Sequence, residues 1–143
     1  MLHNKKDIDK RVIDIIPEYL QKVIFEMNGR VLKQINQDIL YISPTLSLSS
    51  EDVKTIVYSV IIRDYIYTYL YSGEKIIYNN DLFQIQIDNG NIYIKINDNI
   101  NYKYLINRTK LYINSMLKKG GIYPIYGVTF NHLDEIQELV TTV

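Results

Sequence analysis

The sequence predicts an α+β fold: a small helical domain of three to five helices with an antiparallel β-hairpin or three-stranded meander around residues 75–97. Two patterns indicate this fold. Apolar residues recur every three to four positions in several segments, as on one side of an amphipathic helix. Between residues 83 and 96 they instead alternate with polar residues around an Asn-Gly pair, as in a hairpin. The length of 143 residues, without a linker rich in proline, glycine or serine, indicates a single domain over residues 1–143.

The first part of the chain is predicted to form one kinked helix or two helices. Asp7 or Asp9 caps the first one, and an apolar stripe follows. Pro17 then interrupts the pattern, because proline fits the first turn of a helix but breaks its interior. We therefore expect either a kink or a new helix from Pro17 to about Asn28, where an Asn-Gly pair is a stop signal.

Residues 30–43 fit two structures. The spacing of their apolar side chains fits a helix. The apolar run 39–42 before Ser43-Pro44 also fits a strand, and proline disfavours helix in the residue that precedes it. We therefore prefer a strand over residues 39–43.

Ser49-Ser50-Glu51-Asp52 marks the start of a long helix. A serine side chain accepts a hydrogen bond from a first-turn amide, and acidic residues suit the positive end of the helix dipole. The helix is expected to reach Ser72 and to stop at Gly73. Apolar residues occupy most of its circumference, which predicts a position in the centre of the core or between partners. The alternating run over residues 65–71 also fits a strand, but the cap and the upstream spacing favour a helix.

Asp88-Asn89-Gly90-Asn91 predicts the turn of a β-hairpin. Asn-Gly tolerates the positive φ angles of a type I′ turn. A two-residue turn places six apolar residues on one face and polar residues on the other, so turn chemistry and side-chain period agree on one register. Residues 75–78 are expected to add a third strand. The predicted pairs are Phe83 with Ile96, Ile85 with Ile94, and Ile87 with Ile92.

The last part of the chain is predicted to be mainly helical. Asp98 or Asn99 caps a helix over about 100–118, and a Gly-Gly pair ends it. Residues 121–130 form a loop or a short strand. Asn131 then caps a final short helix whose buried side consists of four apolar residues: Leu133, Ile136, Leu139 and Val140.

Composition and charge limit the functions that the chain can have. It has 16 basic and 16 acidic residues, so it lacks the excess positive charge that recruits nucleic acid. A net charge of zero also suits a protein that works in an assembly. The polar amino terminus does not resemble a signal peptide, and the longest apolar run is too short and too charged to span a membrane. We expect a soluble intracellular protein without membrane association.

No catalytic or cofactor motif stands out, so no enzymatic activity, catalytic residue, metal site or cofactor is predicted. The chain has no cysteine, which excludes disulfides, thiolate catalysis and cysteine-bound zinc. His3 and His132 are far apart in sequence, and a metal site needs more convergent ligands. Three acidic pairs lie at predicted helix starts, where capping explains them: Asp7/Asp9, Glu51/Asp52 and Asp134/Glu135.

Two groups of residues are candidates for protein–protein contacts. Arg63 and Asp64 interrupt the long apolar helix. They either reach the helix edge and pair with tyrosines or each other, or form an interface ion pair with another subunit, because buried charge is costly unless paired. The second group is the hairpin tip, either a binding edge or a plain exposed turn: Asp88, Asn89, Gly90, Asn91 and Tyr93.

Lys103, Lys110 and Lys118 form the candidate patch for nucleic acid. They line the outer stripe of the helix over 100–118, and Tyr102 and Tyr104 are available to stack on bases. Lysine is also the usual residue on the outer face of an amphipathic helix. A nucleic-acid partner is therefore the less favoured interpretation.

The amino-acid composition indicates an A/T-rich genome. The chain contains no alanine, whose codons begin with GC, against 25 isoleucines and 14 tyrosines. In composition and element order it resembles small structural proteins of A/T-rich viruses, such as the head–tail connector and neck-ring proteins of crAss-like phages.

The resemblance implies a phage virion component, located in the virion or the host cytoplasm. Such a subunit would form rings, contacting copies of itself and other structural proteins. We therefore expect a non-enzymatic assembly protein that works through protein–protein contacts as a homo-oligomer. The alternative is a small viral regulatory or anti-defence protein that binds nucleic acid or a host protein.

Overall fold

The computed structural model describes residues 14, 16–26, 29–42, 48–120 and 122–140. These residues form four helices and a five-stranded sheet, which confirms the α+β fold and extends the predicted meander. The predicted caps of the first helix, Asp7 and Asp9, lie outside the described residues. The helices are α1 (Glu18–Glu26), α2 (Gly29–Ile42), α3 (Ser50–Ser72) and α4 (Tyr102–Lys118), and the strands are β1 (Ile76–Asn79), β2 (Phe83–Asp88), β3 (Asn91–Ile96), β4 (Gly127–His132) and β5 (Glu135–Val140).

The contacts of the chain group its residues into two compact units. The first unit comprises residues 1–64 and 100–109, and its described part contains α1, α2 and the beginning of α3 and of α4. The second unit comprises residues 65–99 and 110–143 and contains the whole sheet. Both α3 and α4 therefore contribute residues to both units. The single domain over residues 1–143 stays a prediction.

The helix α1 begins directly after Pro17, as the sequence predicts for a new helix. The amides of Leu20 and Gln21 both donate to the Pro17 carbonyl at 3.0 Å. A proline immediately before the first turn leaves no intrahelical hydrogen bond unmade. Leu20, Val23 and Ile24 are buried, so the helical spacing read from the sequence identifies the inward side correctly.

The strand predicted over residues 39–43 is wrong, because α2 continues as a helix to Ile42. A strand would bury every second side chain, whereas Leu40, Tyr41 and Ile42 are all exposed. The buried positions follow helical spacing instead and end with Ile39. The proline signal in the sequence therefore does not convert residues 39–42 to a strand.

Asp38 is a buried charge on the inward side of α2. Its Oδ1 accepts hydrogen bonds from Gln34 Nε2 at 2.9 Å and from Arg108 Nη2 at 3.2 Å. The Arg108 side chain is itself mostly buried, at 23% exposed. Desolvation of a charge is tolerated when a partner of opposite charge and further hydrogen bonds satisfy it. This pair lies within the first unit.

The helix α3 has the predicted start and end. Ser49 Oγ accepts a hydrogen bond from the Asp52 amide at 3.1 Å, and the helix stops before Gly73, whose φ is +71°. Residues 55–62 are buried without interruption, as an apolar circumference predicts. Among the helices that the structure describes, none has the length and apolarity needed to cross a membrane.

The strands β2 and β3 pair in the predicted antiparallel register. Phe83 lies opposite Ile96, Ile85 opposite Ile94, and Ile87 opposite Ile92. All six side chains are buried on one face of the sheet. β1 pairs antiparallel with β2, so the predicted third strand is confirmed, with bounds of Ile76–Asn79.

The five strands follow one another across the sheet in chain order, from β1 to β5. β3 and β4 are parallel, and the other neighbouring pairs are antiparallel. The connection between β3 and β4 contains α4. A helix commonly joins parallel neighbours, because the chain must return from the end of one strand to the opposite end of the sheet, where the next strand starts. Local sequence patterns did not predict this crossover.

The final helix predicted after Asn131 is wrong, because this segment forms the β4–β5 hairpin. Asn131 Oδ1 does accept a hydrogen bond from the amide three residues later, at 3.1 Å from Asp134 N, as a helix cap would. The backbone then turns back, with φ of +51° at Leu133 and +71° at Asp134. Leu133 and Ile136, predicted to be buried, are 49% and 65% exposed.

The helix α4 ends at Lys118, as predicted, but its cap is neither Asp98 nor Asn99. Asn101 Oδ1 accepts the hydrogen bond from the Tyr104 amide at 3.1 Å, and the helix begins at Tyr102. An asparagine two residues further on therefore fills the same role. The sequence predicts seven inward-facing residues on this helix. Leu117 is half-buried, and the other six are buried: Leu105, Ile106, Thr109, Tyr112, Ile113 and Met116.

Candidate interaction surface

The tip of the β2–β3 hairpin is a tight two-residue turn. Asn89 and Gly90 have φ of +50° and +83°, as the predicted type I′ turn requires. Asp88 and Asn91 face each other across the base of the turn. Lys75 Nζ lies 3.6 Å from Asp88 Oδ2, but both side chains are about half exposed, so solvent weakens this ion pair. The conformation of the tip is therefore set mainly by its backbone.

The loop between α4 and β4 packs beside this tip. At one end of the loop, the amides of Ile122 and Tyr123 donate to the Leu70 carbonyl at 3.0 and 3.2 Å. At the other end, the Tyr126 amide donates to the Gly90 carbonyl at 2.7 Å. These bonds connect the loop to the end of α3 and to the hairpin turn. The loop is therefore held at both of its ends by other segments of the second unit.

Two glycines provide the space in which the tyrosine rings of this loop lie. A Cβ at Gly90 would be 2.5 Å from the Tyr126 ring, and a Cβ at Gly73 would be 2.5 Å from the Tyr123 ring. Such distances are far inside van der Waals contact. Both glycines also have positive φ, which other residues adopt only with strain. Glycine at these two positions thus allows both the positive φ of the backbone and the close approach of a tyrosine ring.

The rings seated in this way remain accessible to solvent. Ile122, Tyr123 and Tyr126 are 74%, 40% and 60% exposed. Adjacent exposed apolar groups are typical of contact sites, and tyrosine is enriched in such sites because it combines an aromatic body with a polar tip. We call this site the tip surface and define it as Asn89, Gly90, Ile122, Tyr123 and Tyr126.

Tyr69 supports the tip surface from below. Its hydroxyl donates to the Pro124 carbonyl at 3.1 Å, and its ring lies 6.1 Å from that of Tyr123. Only 4% of the residue is exposed. Burial raises the pKa of Tyr69 above its ordinary value of 10.0, and the nearby Tyr126, Asp88 and Tyr123 act in the same direction, whereas the Gly90 backbone opposes them.

Tyr93, the last predicted residue of the tip group, lies on the opposite side of the sheet from the core. Its position in β3 is between Gln86 of β2 and Thr129 of β4. The Tyr93 hydroxyl accepts a hydrogen bond from Asn131 Nδ2 at 3.3 Å, and the ring is half-buried. The structure therefore does not place Tyr93 in the tip surface.

The charged pair Arg63 and Asp64 lies in the first unit, on α3. Asp64 Oδ1 is 2.5 Å from Arg30 Nη2, and the Asp64 side chain is 8% exposed while that of Arg30 is 50% exposed. The same chain thus supplies a charged partner that the interface hypothesis placed on another subunit. Arg63 is half-buried. A role of Arg63 and Asp64 in an interface stays a prediction.

The three candidate lysines, Lys103, Lys110 and Lys118, all lie on α4, and all three are exposed. Lys103 belongs to the first unit, and Lys110 and Lys118 belong to the second. The exposed asparagines Asn107 and Asn114 continue the same stripe, as the sequence predicts. This arrangement is typical of the solvated side of an amphipathic helix and by itself identifies no ligand.

The remaining titratable candidates, His132, Asp134 and Glu135, lie at the end of β4 and at the β4–β5 turn. His132 ends β4 instead of starting a helix, and its Nε2 lies 2.9 Å from the Asp98 carbonyl oxygen. Asp134 and Glu135 lie at the β4–β5 turn, so helix capping does not explain them. Within the described ranges, no three histidine, aspartate or glutamate side chains cluster closely enough to hold a metal ion.

The loop residues Ile122, Tyr123 and Tyr126 did not stand out in the sequence. The available signal is the segment 122–127, in which two tyrosines flank Pro124 and a glycine follows. Proline restricts the backbone at low entropic cost, and exposed tyrosine beside it is a feature of rigid binding loops.

Comparison of the chain with protein-family models, curated proteins and solved structures gave no significant match.

Proposed function

We propose that this chain is a non-enzymatic structural protein of a virus, which is incorporated into the particle through protein–protein contacts of its tip surface. A phage head–tail connector or neck-ring subunit is the specific role that its composition and element order favour. The observation that carries the proposal is the tip surface itself. Its tyrosine rings are exposed, yet each ring lies against a glycine, and backbone hydrogen bonds hold the loop that carries the rings.

Rigid, exposed aromatic groups favour binding to another protein. A binding interface costs less entropy when its side chains are already ordered, and tyrosine contributes a large contact area through few rotatable bonds. The tip surface combines these properties with a neighbouring polar rim at Asp88 and Asn91. An apolar centre with a polar rim is the usual anatomy of a protein–protein interface.

The test is to detect the chain in purified virus particles from its native source. We expect the wild-type chain to co-purify with the particles and to remain bound at moderate salt. Tyr126→Ser and Tyr123→Ser are expected to reduce incorporation at least about tenfold, as the loss of a central aromatic anchor does. Tyr41→Ser is the matched control, because Tyr41 is 82% exposed on α2, outside the tip surface.

Two outcomes would contradict the proposal. One is absence of the chain from particles although it is present in the infected cell. The other is equal incorporation of the wild type, the tip variants and Tyr41→Ser. The second outcome would show that the tip surface is not needed for incorporation. A structural function through another surface would then remain.

The alternative is a regulatory or anti-defence protein that binds nucleic acid or a host protein. Exposure of Lys103, Lys110 and Lys118 along α4 is the observation that supports it. Binding through these lysines would weaken steeply as salt increases, because each phosphate contact releases counterions. Lys110→Ala and Lys118→Ala would each reduce the salt dependence, with the neighbouring Asn114→Ala as the control.

A further inference from the structure

The sheet has two open edges, β1 and β5. β1 pairs with β2 on one side and β5 pairs with β4 on one side, and no described strand pairs with the other side of either. An edge strand presents peptide N–H and C=O groups that a further strand can use. Both edges lie in the second unit.

Each edge carries an exposed isoleucine on the side of the sheet that faces away from the core. Ile77 of β1 lies opposite Gln86, and Ile136 of β5 lies opposite Asn131. Both isoleucines are 65% exposed. Apolar side chains at sheet edges are a known route to association, so these positions require an explanation.

The strand directions allow the two edges to pair with each other in separate copies. β2 and β3 reverse direction in turn, β4 keeps the direction of β3, and β5 reverses again. β1 and β5 therefore run in opposite directions. If the sheet of one copy continued into the sheet of the next, β1 would meet β5 antiparallel, with both cores on the same side.

We propose that β1 of one copy pairs antiparallel with β5 of the next copy, with Ile77 opposite Ile136, so that copies join head to tail into one continuous sheet. The proposal rests on the structural function proposed above and names a second copy of the chain as the partner. A head-to-tail contact leaves one edge of each copy free, so it closes into a ring or extends as a filament.

Charge complementarity supports this register. With Ile77 opposite Ile136, antiparallel pairing places Lys75 opposite Glu138 and Asn79 opposite Asp134. The two isoleucines pair, and the basic residue meets an acidic one. A shift of two residues would instead place Ile77 opposite Glu138 or Asp134 and would lose both features. Opposite-charge and apolar pairs stabilise cross-strand neighbours, whereas mismatched pairs do not.

The charge of β5 argues against pairing of two β5 strands. β5 and its turn contain Asp134, Glu135 and Glu138 and no basic residue. Two such edges would bring six carboxylates along one seam, which like-charge repulsion disfavours. β1 has Lys75 directly before it, so it is the better complement. Neither strand contains the proline, glycine or bulge with which proteins often block an edge.

Cysteine pairing tests the register directly, because the chain has no native cysteine. Residues opposite each other in antiparallel strands have Cα atoms about 4.5–5.5 Å apart, within the range that a disulfide bridges. Under mild oxidation, we expect a mixture of Ile77→Cys and Ile136→Cys chains to form disulfide-linked dimers. The double variant should form a ladder of larger multimers. Circular dichroism checks that each variant is folded.

Each single variant, oxidised alone, is expected to stay mostly monomeric on a non-reducing gel. Leu111→Cys supplies the background, because Leu111 is 58% exposed on α4 and is not at an edge. Rapid dimerisation of Ile136→Cys alone would overturn the head-to-tail contact in favour of paired β5 strands. Crosslinking of the mixture no faster than with Leu111→Cys would overturn pairing of the edges altogether.

Charge reversal provides an independent test in the cysteine-free chain. Lys75→Glu and Glu138→Lys should each weaken self-association by roughly threefold to tenfold, and the double variant should recover most of the lost affinity. Lys33→Glu is the control, because it reverses the same charge at an exposed position of α2 that belongs to neither edge strand. No recovery in the double variant would contradict the register. Particle incorporation of the tip variants is measured separately, so failure of one proposal is distinguishable from failure of the other.

Discussion

Two of the hairpins in the sheet, β2–β3 and β4–β5, have similar turns built from different residues. The β2–β3 turn contains Asn89 and Gly90 at φ of +50° and +83°, and the β4–β5 turn contains Leu133 and Asp134 at +51° and +71°. Asn-Gly favours this geometry by itself. Leu-Asp does not, because leucine resists positive φ. The sequence of the β2–β3 turn therefore favours its own conformation, whereas the conformation of the β4–β5 turn depends on contacts with the surrounding residues.

The surroundings of the second turn can be identified. Asn131 Oδ1 accepts a hydrogen bond from the Asp134 amide, and the Leu133 amide donates to the Ile96 carbonyl at 3.3 Å. Pairing with β3 also fixes β4 before the turn. A turn of unfavourable sequence can persist when several such contacts determine its backbone. The comparison indicates that local and tertiary interactions can produce the same geometry.

The largest expected effect is the loss of the glycine in the first turn. Gly90→Ala should lower the free energy of unfolding by about 2–3 kcal/mol, because alanine resists positive φ and its Cβ would displace the Tyr126 ring. Urea denaturation measures this change. Gly120→Ala is the control, since Gly120 has φ of +98° and a Cβ there would meet none of the described atoms within 4 Å. Equal losses in the two variants would show that the Tyr126 ring adds no constraint.

Replacing the second turn by the sequence of the first should have a smaller effect of opposite sign. Leu133→Asn together with Asp134→Gly should raise the free energy of unfolding by about 1–2 kcal/mol, because both residues then tolerate positive φ. Thermal and urea unfolding both report this gain. A loss of stability would mean that the Leu133 side chain has a stabilising role that its 49% exposure conceals.

Asn131→Ala tests the side chain that supports the second turn. Loss of the Asp134 amide contact and of the Tyr93 contact should cost about 0.5–1 kcal/mol. Tyr93→Phe removes only the second contact and is the matched control. If both variants lose the same stability in urea, the turn does not depend on Asn131.

The smallest expected effect concerns the support beneath the first turn. At neutral pH, Tyr69→Phe should cost about 0.5 kcal/mol through the hydrogen bond to Pro124. Because burial raises the pKa of Tyr69 above 10.0, the unfolded chain releases this proton first as pH increases. The stabilising difference between wild type and Tyr69→Phe should therefore be complete below pH 10.0 and decline above it. A difference independent of pH would contradict the burial of the hydroxyl.

Segments with strong local signals were predicted correctly. Ser49 caps α3 and Gly73 ends it, and Asn89-Gly90 determines the register of β2 and β3. In each case the chemistry that specifies the structure lies within a few residues. The local sequence around Asn131 is ambiguous, because an asparagine side chain can accept the same type of hydrogen bond at the start of a helix and at this turn. Only the pairing of β4 with β3 decides between them.

Two of the five residues of the tip surface could be predicted for the same reason. The turn residues Asn89 and Gly90 follow from local sequence, whereas the position of Tyr123 depends on Leu70 and Gly73, which are distant in sequence. No local pattern encodes such a contact. The strand predicted over residues 39–43 is wrong for the opposite reason, because the helical spacing of the buried residues, and not the local proline signal, determines the structure of residues 39–42.

The parallel pairing of β3 with β4 has a consequence for how the protein folds. β1, β2 and β3 pair with strands that are neighbours in sequence, whereas α4 and the following loop separate β4 from β3 along the chain. High contact order slows folding, so we expect docking of the β4–β5 hairpin to be the late step. Until that step is complete, β3 is itself an unpaired edge in the nascent chain. Its early exposure makes aggregation during synthesis the main hazard of this topology.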